Sequence, residues 1–541
     1  MEISQSKQVL TLIAVLCFLM LVTANLWGVI ETSEARYAEI SREILRSGDW
    51  LHPKLLNIYH YHKPIITYWL TAAAYSVLGV NPFATRFFLS IAYGIQIFLI
   101  FNLAQHLFKS KHAAYYAALV YATLPMVLIS VRGLTTDAYL TTFVMLSVYA
   151  WIRFLKSGKT TSLYGMAVAM GLAFMTKGPV AFIVPLFAMA GLRKWYQRPR
   201  VSISKGALAV VIFVCVGFSW FAFLIMEDLR FADYFFFRHF VDRLAHAEVF
   251  ARKEPWYYYF PIIPIAFLPW ITFFFAGFFN KTLGPNEHDQ KLTKRLAVWL
   301  FLFPLIIFSI SSSKLVLYIL PLSIGFSLVT GYFLSTGIPK RMLGVFSGLI
   351  FLVYLGLILM PLYIPKFTVN SLLTFLPLAA LSISLVTLFL KLSRERIVSI
   401  LATLFSATLI LFASQFFRLN SIEVNSLSPV SSFIKKNNLS ERSILVYDEF
   451  LPSLAFDLDK HIISVYAGNG SLRRETQFEK NDSWKNSLID TTDQASLIKL
   501  KSLLSKKCVL IVKKELPSIV RTIMPGYWHK KTFGKWMVYY N

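Results

Sequence analysis

The chain carries one strongly polar segment near its N-terminus, residues 31–64, which reads ETSEARYAEISREILRSGDWLHPKLLNIYHYHKP. The segment follows an apolar run at 8–28 and precedes a long series of further apolar runs. Ionisable groups at a bilayer are costly and are usually retained for a function. A plain hydrophilic connection would be rich in Ser, Gly, Asn and Pro, whereas this segment has acids and bases at helical spacing. We therefore interpret 31–64 as part of a functional site at a membrane surface.

The composition is that of a polytopic membrane protein. Apolar residues make up 56% of the chain and charged residues 15%, which is unlike a soluble chain of this length. The run at 8–28 is too long for a signal-peptide core and is expected to remain as an anchor. Runs of this length can cross the hydrocarbon core, and they predict about 13 transmembrane helices, near 8–28, 83–107, 113–131, 138–155, 161–176, 178–192, 206–226, 258–279, 296–311, 315–336, 342–362, 371–390 and 397–417. The stretch 64–79 is predicted to lie along the interface.

Basic residues set the expected orientation. The net charge is +26, but many Lys and Arg residues lie in short connections, so lipid and topology explain them better than nucleic acid does. The basic-rich connections fall on one face, which the positive-inside rule makes cytoplasmic; they are 109–111, 153–159, 193–205, 291–295, 339–341 and 391–396. The segment 31–64, the loop 227–257 and the tail beyond 418 are then expected on the outer face.

The tail has a different pattern. Short β-like runs at 443–447, 462–466, 508–512 and 536–540 alternate with helix-compatible stretches at 428–438 and 494–505, which predicts a small α/β domain. The expected fold is thus an all-α polytopic membrane domain at 1–417 followed by a soluble α/β domain at 418–541. The three cysteines, Cys17, Cys215 and Cys508, form no CxxC pair, so no disulfide or thiolate metal site is expected.

The polar segment contains two candidate groups. Ser33 is expected to cap a short helix, while Glu31 and Glu34, at the end of a span, are candidate bases that could take a proton from a hydroxyl. Lys63 precedes a proline that fixes a helix start, and a cation at a helix N-terminus suits a phosphate. A snorkelling lysine beside an interfacial histidine, His62, is the alternative interpretation.

Further charges stand at the outer ends of other spans. Asp137 follows Arg132 closely, Lys177 joins two helices through Gly-Pro, and Lys314 precedes Tyr318. Any one of them could be a snorkelling anchor, but together they predict a cavity for an anionic headgroup. The loop 227–257 is rich in charges and bracketed by aromatic residues, which sit at headgroup level. It is interpreted as closing over a lipid-linked ligand, with a purely structural interfacial loop as the alternative.

These motifs resemble those of the membrane-embedded GT-C glycosyltransferases that use polyprenyl-phosphate sugars. The most similar group is the bacterial aminoarabinose lipid A transferases, which are related to the protein O-mannosyltransferases. The resemblance covers nearly the whole chain and rests on Ser33–Ile40, Ser47–Trp50, His62–Pro64 with Tyr68 and Trp69, Thr176–Pro179, Pro255–Tyr258, Pro269–Trp270, and Lys314 with Tyr318 and Pro321.

The resemblance implies a bacterial inner-membrane enzyme with a periplasmic active site. Its donor would be a sugar on undecaprenyl phosphate, and its acceptor lipid A or another periplasmic glycan or lipid, with inversion at the anomeric carbon and no nucleic acid partner. Membrane lipids would surround it. The expected roles are catalytic for Glu31, Glu34 and Asp137, and donor- or phosphate-binding for Arg36, Tyr37, Lys63, Lys177, Arg243, Lys314 and Tyr318.

The chain departs from the family pattern at two positions. Relatives often have Asp where this chain has Ser33, and Glu31 or Glu34 could replace it. Some relatives have Glu where this chain has His62, and there the Glu and a later histidine, matching His239, hold a divalent metal. A His62–His239 pair could still bind Zn, Mg or Mn, although no cofactor is certain.

Two other functions fit parts of the pattern. A transporter or flippase of lipid-linked saccharide would also need a headgroup cavity, but it should have ionisable groups near mid-membrane and a repeat between its halves. A protein O-mannosyltransferase would have the same donor chemistry with a Ser or Thr side chain as acceptor.

Overall fold

Two bodies of different composition make up the chain in the computed structural model. The structure describes residues 5–193, 195, 199, 201–235, 254–279, 287–472, 474, 476–513, 515–516, 518–524 and 526–541. Long apolar helices form the N-terminal body, and a mixed sheet with flanking helices forms the C-terminal body. This agrees with the predicted fold class of a polytopic helical protein with a small α/β domain.

The N-terminal body contains helices α1 to α19. They are α1 Gln5–Thr23, α2 Ser33–Ser47, α3 Ile66–Leu78, α4 Pro82–Phe108, α5 Lys111–Ala122, α6 Pro125–Ser130, α7 Thr136–Ser157, α8 Thr160–Lys177, α9 Ile183–Leu192, α10 Ile203–Glu227, α11 Arg230–Asp233, α12 Tyr259–Ala266, α13 Ile271–Phe279, α14 Glu287–Ala297, α15 Phe303–Ile310, α16 Ser323–Ser335, α17 Lys340–Tyr363, α18 Ser371–Phe389 and α19 Arg394–Leu419. A two-stranded hairpin, β1 Lys54–Leu55 and β2 Ile58–Tyr59, lies between α2 and α3.

The number of spans is lower than the sequence predicts. The described residues contain ten helices long and apolar enough to cross a membrane, or eleven if α12 and α13, bent by 105°, count as one. The predicted span 113–131 is interrupted before Pro125, which leaves α5 with 12 residues and α6 with six. The predicted spans 161–176 and 178–192 form one continuous apolar stretch, Thr160–Leu192, because a short 3-10 turn at Gly178–Phe182 joins α8 to α9. Helix α3 has only 13 residues, too few to cross a bilayer.

The core of the helical body lies around α16 and α5. Every residue of α16 from Ser323 to Leu334 is buried. Its Gly331 lies so close to Ala117 of α5 that a Cβ there would be 2.4 Å from the Ala117 backbone nitrogen. A small residue is therefore required at this crossing, as in other closely packed membrane helices.

Helix α2 forms as predicted, but it starts one residue earlier than predicted, at Ser33. Thr32 occupies the N-cap position without a side-chain cap hydrogen bond, and Ser33 is the first helical residue, so the prediction that Ser33 is the cap is wrong. Gly48 ends the helix in the left-handed conformation with φ of 70°, which glycine adopts without a steric penalty. Ten of the helix residues are buried, so this polar helix is packed within the protein rather than lying on its surface.

The C-terminal body contains a six-stranded sheet in the order β5-β4-β3-β6-β8-β7. Strands β3 to β6 are parallel neighbours, and β8 and β7 run antiparallel at one edge. The four predicted β-like runs are all strands, and β5 and β7 are additional. The elements are α20 Ser428–Lys436, β3 Ser443–Tyr447, α21 Pro452–Leu458, β4 Ile463–Tyr466, β5 Leu488–Asp490, α22 Gln494–Leu504, β6 Cys508–Lys513, α23 Ser518–Ile523, β7 His529–Phe533 and β8 Trp536–Tyr540.

Polar contacts join the two bodies around α2. Arg42 Nη1 donates to Asp459 Oδ1 at 3.0 Å, and Arg46 pairs with the same carboxylate. The Ser453 backbone nitrogen donates to Glu31 Oε1 at 2.8 Å. The sheet body therefore lies against α2, at the end of the helical body where the polar segment is found.

Candidate active site

A polar cavity of about 470 Å³ lies where several helix ends meet. Its lining comes from the first turns of α2, the segment after β2, the start of α7, the end of α8, and the stretch before α16. The lining residues are Ser33, Arg36, Tyr37, His60, His62, Lys63, Thr135, Thr136, Asp137, Lys177, Tyr258, Ser313, Leu315, Val316, Leu317 and Tyr318. Segments far apart in the sequence thus form one site.

A buried ion pair occupies one wall. Asp137 lies in the first turn of α7, where a carboxylate interacts favourably with the helix dipole, and Lys177 is the last residue of α8. The Lys177 ammonium pairs with Asp137, and the two side chains are 7% and 10% exposed. The same ammonium lies 4.2 Å from the centroid of the Tyr318 ring, a cation–π distance. The structure therefore brings together three of the predicted site residues.

The cavity lining contains further cations. Arg36 and Tyr37 project from the second turn of α2, and Lys63 follows the imidazoles of His60 and His62, whose ring centroids are 4.0 Å apart. The described lining residues include three cations, Arg36, Lys63 and Lys177, and one carboxylate, Asp137. A cavity of this charge is suited to an anionic group such as a phosphate.

Glu34 lies beside the cavity but not in its polar lining. Its carboxylate accepts hydrogen bonds from Arg86 Nε at 2.8 Å and Arg86 Nη2 at 2.9 Å. It also accepts from the backbone nitrogens of Ile30 at 3.0 Å and Leu134 at 3.2 Å. Four donors occupy this buried carboxylate, so the geometry favours a role in holding α2 against α4 and α7 over proton transfer.

Glu31 lies at the contact between the two bodies. Its Oε1 accepts from the Ser453 backbone nitrogen, while Oε2 is buried and has no partner among the described residues. Burial away from water raises the pKa of Glu31 from 4.5 to about 8, because the charged form is desolvated. The raised pKa brings the titration of this carboxyl close to neutral pH.

An apolar groove of about 700 Å³ adjoins the cavity. The groove and the cavity share the lining residues Ser33, Thr135 and Leu317, so the two are adjacent. Most of the groove is apolar side chain from α6 and from the membrane-spanning α19. The contributing residues are Pro125, Leu128, Ile129, Leu409, Ile410, Phe412, Ala413 and Phe417, with Trp27, Ile30, Glu31, Thr32, Glu34, Arg132 and Gly133 at its polar end.

The predicted site residue Lys314 does not line the cavity. Lys314 is buried next to it, and its ammonium donates to the Glu254 backbone oxygen at 2.7 Å. Arg243 and His239 lie outside the described residues. Among the residues that the structure describes, there is no group of three His, Cys, Asp or Glu side chains placed to hold a metal ion. The His62–His239 metal pair stays a prediction.

Sequence reasoning missed two residues that shape the site. Arg86 is 1% exposed, and besides pairing with Glu34 it donates to the backbone oxygens of Ala24, Trp27 and Gly28. The sequence could have indicated this role, because a lone arginine one turn into an apolar span is costly unless it has a partner. Phe450, which lies against Arg36, had no such signal because it comes from the other body.

Comparisons with known proteins show which sequences this chain is similar to. The family described as dolichyl-phosphate-mannose-protein mannosyltransferase matches residues 62–220. The chain is 32% identical over 307 residues to the undecaprenyl phosphate-alpha-4-amino-4-deoxy-L-arabinose arabinosyl transferase of Pseudomonas paraeruginosa, covering 55% of this chain and 54% of that protein. It is 31% identical over 332 residues to the Pseudomonas aeruginosa protein of the same name, covering 58% and 59%. The chain therefore spans a little over half the length of these curated relatives.

The structural similarity extends further than the sequence similarity. The crystal structure of ArnT from Cupriavidus metallidurans bound to undecaprenyl phosphate superimposes with a TM-score of 0.79 at 19% identity, covering 99% of this chain and 98% of that one. The apo form gives 0.78 at 18% identity. These comparisons confirm the resemblance that the motifs predicted, and the chain has the GT-C fold of ArnT over almost its whole length.

Proposed function

We propose that the chain is an integral membrane glycosyltransferase. It moves a sugar from undecaprenyl phosphate to lipid A, an aminoarabinose-type modification. One observation carries this proposal: a cavity whose described lining has more cations than carboxylates lies next to an apolar groove formed by α6 and the membrane-spanning α19. A ligand that fits both must combine an anionic group with a long apolar chain. The names of the curated relatives add support for the donor and the reaction.

The carrier phosphate would bind between Arg36, Lys63 and Lys177. Arginine and lysine stabilise phosphate by charge-assisted hydrogen bonds, and all three residues line the cavity. The isoprenoid chain would leave through apolar surface toward the bilayer, where it remains in a hydrocarbon environment. Binding the tail and the phosphate together fixes the position of the anomeric carbon, and positioning of this kind can supply a large part of a rate enhancement.

The reaction would be a single displacement at the anomeric carbon. An acceptor oxygen attacks this carbon from the face opposite the phosphate, and the bond between the carbon and the phosphate oxygen breaks. The electron pair remains on undecaprenyl phosphate, whose negative charge the cavity cations stabilise. Attack from the opposite face inverts the configuration.

The described carboxylates favour an acceptor oxygen that is already ionised. Asp137 is paired with Lys177, Glu34 is paired with Arg86, and Glu31 is not among the residues that line the cavity. A hydroxyl acceptor would need one of them as a base, whereas a phosphate oxygen needs none. The phosphate groups of lipid A meet this condition.

The direction of α7 supports a proposal for which side of the membrane the cavity faces. This helix starts at the cavity and has 22 residues, which carry the chain about 33 Å, the thickness of a bilayer core. Its far end meets the basic connection 153–159. The positive-inside rule would make that connection cytoplasmic, which supports the proposal that the cavity and the sheet body face the periplasm of a bacterial inner membrane.

A transfer assay tests the proposal. The purified protein is mixed with undecaprenyl phosphate-linked aminoarabinose and lipid A, and the product is measured by mass spectrometry. Wild type should form modified lipid A, and Lys63→Gln should reduce turnover at least tenfold. Lys366→Gln is the control, because Lys366 is an exposed lysine outside the cavity. Equal turnover in all three proteins would contradict the assigned phosphate site.

Other products would point to the alternatives. A sugar found on a periplasmic protein and lost on deletion of the gene would indicate an O-mannosyltransferase-like enzyme. Movement of the lipid-linked sugar across a vesicle membrane without any transfer would indicate a flippase.

A further inference from the structure

The guanidinium of Arg36, on α2, is held by few polar contacts. It lines the cavity, yet within the described ranges its side chain has neither a hydrogen-bond nor an ion-pair partner, and its Nε atom is buried and unpaired. What it does contact is an aromatic ring: the guanidinium carbon lies 5.7 Å from the centroid of Phe450. This distance is within the range of cation–π attraction.

Phe450 belongs to the sheet body. It follows β3, the strand between β4 and β6 in the parallel part of the sheet. The loop that carries it is held by Asp448, whose Oδ1 accepts from the backbone nitrogens of Ala467 at 2.8 Å and Asn469 at 2.9 Å. The ring is therefore placed by an ordered loop at the carboxyl edge of the parallel strands, where α/β sheets commonly present functional groups.

A second arginine links the same ring to the hairpin of β1 and β2. The Arg474 guanidinium carbon lies 5.5 Å from the Phe450 centroid. Arg474 Nη2 donates to the Leu55 backbone oxygen at 2.9 Å, in the hairpin that precedes His62 and Lys63. One ring thus contacts the arginine on α2 and the arginine that holds the hairpin.

We propose that Phe450 is a positioning residue, through which the sheet body fixes the Arg36 guanidinium at the wall of the cavity. The sheet body is then part of the anion-binding site rather than a separate cap over it. The inference rests on the proposed function in one respect, namely that the anion bound there is the carrier phosphate. The contact between ring and cation is independent of the identity of the ligand.

A double-mutant cycle with Phe450→Leu and Arg36→Gln tests the inference by two measurements. The first is thermal unfolding without ligand, and the second is the dissociation constant for undecaprenyl phosphate. Phe450→Leu should weaken binding about three- to tenfold, as expected for loss of one partly buried cation–π contact. In the Arg36→Gln background the same change should weaken binding clearly less, with only the contact between Phe450 and Arg474 left to lose. Phe450→Tyr should restore binding because it keeps the aromatic face.

Phe433→Leu provides the matched control. Phe433 packs against Phe533 and Tyr540 inside the sheet body, so its loss should lower stability without weakening phosphate binding. Equal weakening by Phe450→Leu in both Arg36 backgrounds, or additive unfolding temperatures in the cycle, would overturn the inference. If wild type does not bind undecaprenyl phosphate but the unfolding cycle is non-additive, the proposed donor is wrong and the positioning contact stands.

Discussion

Replacing Glu31 by Gln should remove a pH-dependent loss of stability. Glu31 is buried where the two bodies meet, and its pKa is raised to about 8 mainly by desolvation. A carboxyl whose folded-state pKa lies above its unfolded value contributes stability that is fully present below the unfolded pKa. That contribution is lost as the pH rises through the folded pKa. The relevant window for Glu31 is therefore from about pH 4.5 to about pH 8.

The size of the stability change follows from the unfolded and folded pKa values of Glu31. The interval from 4.5 to about 8 is 3.5 pH units. Each unit corresponds to about 1.4 kcal/mol, so the loss is at most on the order of 5 kcal/mol, less whatever relaxation and water entry recover. Gln does not titrate, and its amide oxygen can still accept the hydrogen bond from Ser453 that Glu31 Oε1 accepts at 2.8 Å. The stability advantage of Glu31→Gln should thus grow steadily across this window.

Unfolding of the purified protein, followed at several pH values between 4.5 and 9, measures this difference. Burial also raises the pKa values of Asp457, to about 6, and of Glu43, to about 8. Both groups are present in both proteins, so only the difference between the two curves reports on Glu31. Glu287→Gln is the control, because Glu287 is fully exposed and pairs with Lys291 on the same helix. Parallel curves for wild type and Glu31→Gln would refute the reasoning.

Three further outcomes are expected. Arg86→Met should lower the free energy of unfolding by about 3–5 kcal/mol because it leaves Glu34 buried without a counter-ion. Adding Glu34→Leu should recover most of the loss. An unchanged free energy of unfolding in Arg86→Met would contradict the pairing. Lys177→Met should reduce turnover at least tenfold and weaken carrier binding, whereas wild-type kinetics would remove it from the site. Asp459→Asn should cost less than about 1 kcal/mol, because its carboxylate is 43% exposed and exposed ion pairs contribute little; a loss as large as that of Arg86→Met would argue against this.

Local patterns were sufficient to predict the elements of this protein. Apolar runs locate most of the membrane helices because length and hydropathy are properties of a single segment. The four β-like runs of the tail are strands for the same reason, since alternation and β-branched content are local. The errors come where one segment depends on its neighbours, as at Pro125, where a predicted span is interrupted, and at Gly178, where two predicted spans continue into each other.

The candidate site was partly predictable. Motif residues such as Lys63, Asp137 and Lys177 could be identified because they are charged residues at the ends of apolar runs, and the structure brings all three to one cavity. The roles of the carboxylates could not be identified in the same way. Whether Glu34 is free depends on Arg86, which is 52 residues away in the sequence and donates to it at 2.8 Å.

By itself, the sequence determined that the chain crosses a membrane many times, carries a cationic site near one surface and ends in an α/β domain. Each of these properties follows from the composition and spacing of neighbouring residues. The tertiary structure alone decided which charges meet, which are neutralised in pairs, and that a ring of the sheet body supports Arg36. The physical reason is that burial and partnership change the energy of a charge by several kcal/mol, and both depend on groups that are distant in the chain.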